Sequence, residues 1–225
     1  MATLEIQVPN NLSDITLSQY LDFEALPSDL SEYALQNEMI TIFTDLSRTQ
    51  VMALKMSERH NIVSLLKSAI GRTDQDLVHK GTLEGVEIGF VPNLDNISIG
   101  EFIDIEKYQS DSKQWANLMR VLYRPIVEKQ RPDRYSVMSY QETLDLELDY
   151  SQITMDLVFG SLVFFCDLGS DLVNSILKSL NPTAKQQKSN TTLVSNGDGT
   201  ESLSTYLIAT LGALREYRKS LYIKL

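Results

Sequence analysis

Asn93-Leu94-Asp95-Asn96-Ile97-Ser98-Ile99-Gly100-Glu101-Phe102-Ile103-Asp104-Ile105-Glu106 has a counterpart at an offset of 82 residues, Asn11-Leu12-Ser13-Asp14-Ile15-Thr16-Leu17-Ser18-Gln19-Tyr20-Leu21-Asp22-Phe23-Glu24. The two align without a gap, and five of the fourteen pairs are identical. Most of the others exchange like for like, Thr16 with Ser98, Gln19 with Glu101 and Tyr20 with Phe102. In each, a hydroxyl residue is followed three positions later by an amide or carboxylate, the spacing of a capping box that satisfies two orphan N–H groups at a helix start. An isoleucine before each cap and an aromatic four after it, Ile15 with Tyr20 and Ile97 with Phe102, have the spacing of a hydrophobic staple.

Outward from this stretch the likeness continues. Ser28, Asp29, Tyr33 and Ala34 match Ser110, Asp111, Trp115 and Ala116 at the same offset. With two residues removed from the second copy, Met39, Ile42 and Phe43 fall against Met119, Leu122 and Tyr123. The pattern predicts an α+β protein, mainly α, in which two degenerate copies of a strand, capped helix, longer helix unit are followed by C-terminal helices. The expected divisions are residues 1–75 for the first unit, 76–180 for the second with a helical core, 181–201 for a mobile polar loop and 202–225 for a C-terminal helix.

Within that frame Leu4 to Val8 alternates as a strand closed by Pro9. Helices are expected to about Leu26, from Leu30 to about Leu46, and from Glu58 to Ile70 with Ser57 as cap and Gly71 as the residue after the end. Leu77 to Lys80 and Val86 to Val91 read as a hairpin around Gly81–Gly85, the second strand standing where Leu4 to Val8 stands in the first unit. A helix from about Lys113 is interrupted by Pro125, Tyr135 to Tyr140 reads as a strand, and Gln152 to Leu180 as one or two buried helices. Gly160 and Gly169 are candidates there for close packing or breakage.

The chain has 225 residues, 43% hydrophobic and 22% charged, which is ordinary for a globular protein with a real core. A formal net charge of −10 argues against a broad nucleic-acid surface, which needs clustered Lys and Arg. Cys166 is the single cysteine, so no intramolecular disulfide forms, and it reads as a small core hydrophobe. Met1 to Asn10 shows no secretory signal, and the most apolar stretch, Met155 to Leu168, is shorter than the roughly 20 residues a bilayer needs. A protein of the cytoplasm, with no membrane and no nucleic-acid partner, is expected.

No catalytic, cofactor-binding or metal constellation stands out. His60 and His79 read as a helix-surface and a strand residue, and neither has a neighbouring Cys at metal-site spacing. No Walker loop or dinucleotide turn is present, and Asn196-Gly197-Asp198-Gly199 lacks the ligand pattern of a calcium loop. Asp145, Glu147 and Asp149 would share one side of an extended segment, as a solvated edge or, with help from elsewhere, a divalent-cation site. Tyr123 and Arg124 are candidate partner contacts because such residues dominate interface hot spots. Arg215, Arg218 and Lys219 at the basic end of the last helix are further candidates. Trp115 reads as core.

Gly89 to Asp104, with Trp115, Val121-Leu122-Tyr123-Arg124-Pro125-Ile126, Met155-Asp156-Leu157-Val158-Phe159-Gly160 and Asn196-Gly197-Asp198-Gly199, resembles small virion-morphogenesis proteins of tailed bacteriophages, usually described as tail assembly chaperones or structural-module proteins. The resemblance is strongest over 86–180. It implies a non-catalytic assembly protein in the host cytoplasm, or in the virion, that binds a phage tail or connector protein through packing surfaces and no cofactor. The first alternative is a structural virion subunit of a neck, connector ring or baseplate, built as a homo-oligomer. The second is a metal-dependent phage enzyme using Asp145, Glu147 and Asp149.

Overall fold

Both predicted capping boxes close. Thr16 accepts from the Gln19 N–H while Gln19 accepts from the Thr16 N–H, starting α1, Leu17–Glu24. Ser98 and Glu101 do the same for α5, Ile99–Gln109. The computed structural model describes residues 6–71, 76–131 and 134–180, with Ala213 and Glu216 beyond them. Between the two boxes lie α2 (Glu32–Phe43), α3 (Arg48–Ala53), α4 (Met56–Ile70), β1 (Lys80–Leu83) and β2 (Val86–Phe90). After α5 come α6 (Trp115–Leu122), β3 (Tyr123–Arg131), β4 (Arg134–Val137), α7 (Tyr140–Leu144) and α8 (Met155–Leu180). The chain is mainly helical, with one antiparallel sheet in the order β1-β2-β3-β4.

Several boundaries differ from expectation. Of the strand expected over Leu4 to Val8, the described residues from Ile6 on form none; Leu4 and Glu5 lie outside the described residues. β1 begins at Lys80, the last residue of the expected strand, and runs through most of the expected loop, because the turn needs only Glu84 and Gly85, at φ 50° and 81°, the pair of positive angles of a two-residue hairpin turn. The α6 helix does not run on to Pro125. It stops at Leu122 because the residue before a proline is pushed out of the helical region, and Arg124 enters β3 extended. Pro125 sits at the end of the β3–β4 ladder, where its carbonyl accepts from the Met138 N–H at 2.8 Å.

α3 was not anticipated; Ser47 and Gln50 form its capping box. α4 starts two residues earlier than expected without a Ser57 cap, and Gly71 ends it at φ −75° rather than in the left-handed region. The segment expected to be a strand over Tyr135 to Tyr140 is β4 followed by α7, which Ser139 and Glu142 cap. The polar loop over 181–201 lies outside the described residues. So does all of the expected last helix except Ala213 and Glu216, which are helical.

One local geometry occurs three times. An Asx side chain accepts from the N–H two residues on, a 3-10 turn follows, then an extended isoleucine, a hydroxyl residue and a helix. The Asx residues are Asn11, Asn93 and Asp149, accepting from Ser13, Asp95 and Ser151. In all three the isoleucine N–H, of Ile15, Ile97 or Ile153, closes the turn onto the residue three before it at 3.3 Å. The third, Asp149-Tyr150-Ser151-Gln152-Ile153-Thr154-Met155, leads into α8.

The chain divides into two compact units, residues 1–161 with 223–225, and 162–222. In the first, Tyr20 of α1 stacks on Trp115 of α6 with ring centroids 5.9 Å apart, and Phe159 of α8 meets both edge-on at 5.4 and 6.2 Å. Trp115 is therefore core, as its sequence suggests. Gly160 is a close-packing point: a Cβ there would stand 2.6 Å from the carbonyl oxygen of Asp76. Gly160→Ala is expected to cost about 1–3 kcal/mol through overpacking, read from the denaturant midpoint, although alanine is the better helix former. In the second unit α8 continues from Leu162, and the Phe164 and Phe165 rings meet edge-on at 5.4 Å. Cys166 is buried.

Candidate functional site

Tyr123 and Arg124, candidates for a partner surface, are interior residues. Tyr123 is 0% exposed, and its hydroxyl donates to the Val78 carbonyl at 2.7 Å. Burial pushes its pKa far above the ordinary tyrosine value, so it stays neutral. Arg124 is 6% exposed and pairs with Glu101, itself 7% exposed. Its Nε donates to the Val121 carbonyl at 3.0 Å, and its guanidinium lies 5.4 Å from the centroid of the Tyr140 ring. The Tyr140 hydroxyl donates to Asp104 at 2.8 Å, and burial together with that carboxylate raises its pKa. Nothing in the sequence distinguished Arg124 as a buried cation; the matching signal was the capping residue Glu101, which reaches both ways.

Burial raises the Glu101 pKa, but hydrogen bonds from the Ser98 hydroxyl and N–H and the charge of Arg124 outweigh it, so the carboxyl is held below its ordinary value. This cluster ties α5 to β3 and α7. It also decides which face of α5 meets solvent. Glu101 and Ile105, four apart, face inward, so Ile99, Phe102 and Ile103, spaced three and four apart, face outward. These three are 81%, 51% and 55% exposed. Gly100, between them, has open space where a Cβ would stand, with only the Ser98 hydroxyl within 4 Å. An apolar face held outward by a buried ion pair is the candidate site, and its chemistry is packing.

No family model, curated protein or solved structure matches this chain.

The acidic triplet is dispersed. Asp145 caps the end of α7 and Asp149 caps the 3-10 turn before α8, so the expected extended alternation does not form. The hydroxyl and N–H of Ser151 hold the Asp149 carboxyl below its ordinary pKa. Glu147 is exposed. Among the described residues no three His, Cys, Asp or Glu side chains group as a metal site. His60 is exposed on α4, and His79 precedes β1 with its ring edge-on to Phe90 at 6.5 Å. Arg215, Arg218 and Lys219 lie outside the described residues. Among the described residues no helix is long and apolar enough to cross a membrane.

Arg59 is a second buried cation that the sequence did not announce. Its guanidinium lies 4.1 Å from the centroid of the Tyr33 ring and donates to the Tyr33 carbonyl at 3.0 Å and to Asn37 at 3.1 Å. It joins α4 to α2. An open cleft of about 740 Å³ between residues 6–10, the end of α2 and Leu65 holds Asp14 and Asp45 but no grouped reactive side chains.

Proposed function

We propose that this chain is a non-catalytic bacteriophage assembly protein, in the first instance a tail assembly chaperone that binds a tail component through packing surfaces in the host cytoplasm. The observation that carries the reading is the outward apolar face of α5. Ile99, Phe102 and Ile103 are exposed together on one helix face, and the buried Arg124–Glu101 pair keeps them there. Such a face favours a macromolecular partner, because contiguous exposed apolar surface marks interaction sites. The phage setting rests on the resemblance of residues 86–180 to virion-morphogenesis proteins.

The organisation into two degenerate copies of one unit belongs to the same proposal. The shared capping device supports it, while the elements that follow each copy differ, α2, α3 and α4 before the β1–β2 hairpin after the first, α6 and then β3 after the second.

Coexpression tests the chaperone reading. A tail protein from the same genome that aggregates when made alone should remain soluble when made with this chain. Ile99→Glu should remove that protection while leaving the helical circular dichroism unchanged. Protection by the variant equal to that of the original chain would contradict the assignment of the α5 face.

A further inference from the structure

Of the three occurrences of the Asx-capped turn, two complete each other. Ile15-Thr16-Leu17 and Ile153-Thr154-Met155 run antiparallel, with Thr16 opposite Thr154. The Leu17 N–H donates to the Ile153 carbonyl at 2.8 Å, and the Met155 N–H donates to the Ile15 carbonyl at 2.8 Å. Equivalent residues thus exchange equivalent bonds, as they would across a two-fold axis. The residues around the bridge, Ile15, Leu17, Ile153 and Met155, are all buried.

The remaining occurrence has the same shape and no partner. Ile97 is at φ −68°, ψ 143°, against −64°, 144° for Ile153; Ile15 is extended at −114°, 128°. Ser98 is extended at −73°, 162°, as Thr16 is at −86°, 157°. Among the described residues, nothing accepts from the Ile99 N–H and nothing donates to the Ile97 carbonyl. Ile99 stands where Leu17 and Met155 stand, and Phe102 where Tyr20 and Val158 stand; the counterparts are buried and these two are exposed. The segment carries every group the internal bridge uses.

We infer that residues 97–103 are the docking surface for a second copy of this chain, paired through the same reciprocal bridge across a true two-fold axis. Ser98 faces the second copy's Ser98, the Ile99 N–H of each donates to the Ile97 carbonyl of the other, and Ile99, Phe102 and Ile103 close over the bridge. The self-complementarity of the motif, displayed inside the chain, selects a second copy over an unrelated partner. The inference names what covers the α5 face in the free protein, where the tail component competes with the second copy for it, and rests on reading that face as a packing surface.

Cross-linking tests it. A bridge whose flanking residues make the hydrogen bonds is the non-hydrogen-bonded type, with opposed Cα atoms about 4.5 Å apart, within the range a disulfide spans. Ser98→Cys in the full chain should therefore form a disulfide-linked dimer under mild oxidation, and Ser57→Cys, exposed on α4, should not. The natural Cys166 is buried. Because Ser98 also caps α5, a second variant leaves the cap intact. Ile99→Glu places like charges against each other across the axis and should weaken the dimer by about a hundredfold or more by light scattering, whereas Met56→Glu, exposed on α4, should not. A Ser98→Cys chain that stays monomeric under oxidation, or a dimer indifferent to Ile99→Glu, overturns the pairing. The packing-surface reading fails separately, by Ile99→Glu leaving protection of the tail protein intact.

Discussion

Arg124→Ala is expected to lower the unfolding free energy by about 3–5 kcal/mol, the usual loss when one partner of a buried ion pair is removed and the other charge is left behind. Both members of the pair are buried, and the guanidinium also donates to the Val121 carbonyl. Removing it strands Glu101 and that carbonyl together. Glu101 adds a pH signature. Its folded pKa is depressed, so its contribution is present above the unfolded carboxylate value of about 4.3 and disappears as pH falls through the folded value. The gap between Arg124→Ala and the original chain should therefore narrow below about pH 4. Denaturant titrations at pH 7 and pH 3.5 measure it, and a gap that widened in acid would contradict the assigned pairing. Because α5 is oriented by this pair, Arg124→Ala should also disturb the outward face.

Trp115→Ala is the second large effect, about 3–5 kcal/mol for an aromatic removed from a closed core. The indole stacks on Tyr20, meets Phe159 edge-on and donates from Nε1 to the Gln109 carbonyl at 3.3 Å. Its loss opens a cavity where α1, α6 and the start of α8 converge, and forfeits the aromatic pairings beyond their area, about 0.5–1.5 kcal/mol each. Trp115→Phe keeps most of the volume and should lose less. Trp115 is the only tryptophan in the chain, so both variants are followed by circular dichroism. A loss under 1 kcal/mol for Trp115→Ala would contradict the packing described.

Much of this was legible where a local rule acts alone. The capping boxes at Thr16 and Ser98, the end of α1 before Pro27 and the core place of Trp115 follow from residue type and spacing, whereas Gly160, open in sequence between close packing and breakage, is a packing point. The misreadings arise where tertiary structure overrules a local signal. Tyr123 and Arg124 have the composition of an interface hot spot, but β3 carries them into the interior, where carbonyls and Glu101 satisfy them. Asp145 and Asp149 alternate with apolar residues as in a strand, yet Asp145 falls at the end of α7 and the Asp149 side chain caps the following 3-10 turn.

The third Asx-capped turn was hidden for the same reason. In sequence Asp149 reads as part of the acidic alternation, and Tyr150 replaces the leucine of the other two. The candidate site was half visible: the Ile97 to Phe102 spacing marked a helix start, while the exposure of its apolar face depends on the buried pair behind it. No sequence pattern states which way a stapled helix will turn.

The most direct test of assembly through packing surfaces is the light-scattering mass of the purified chain mixed with each tail and connector protein of the same genome. The expected result is a defined soluble complex with one of them, larger than either component alone. Separate species in every mixture, together with a metal-dependent activity lost on Asp145→Ala, would contradict it and return the acidic triplet to the centre of the protein's chemistry.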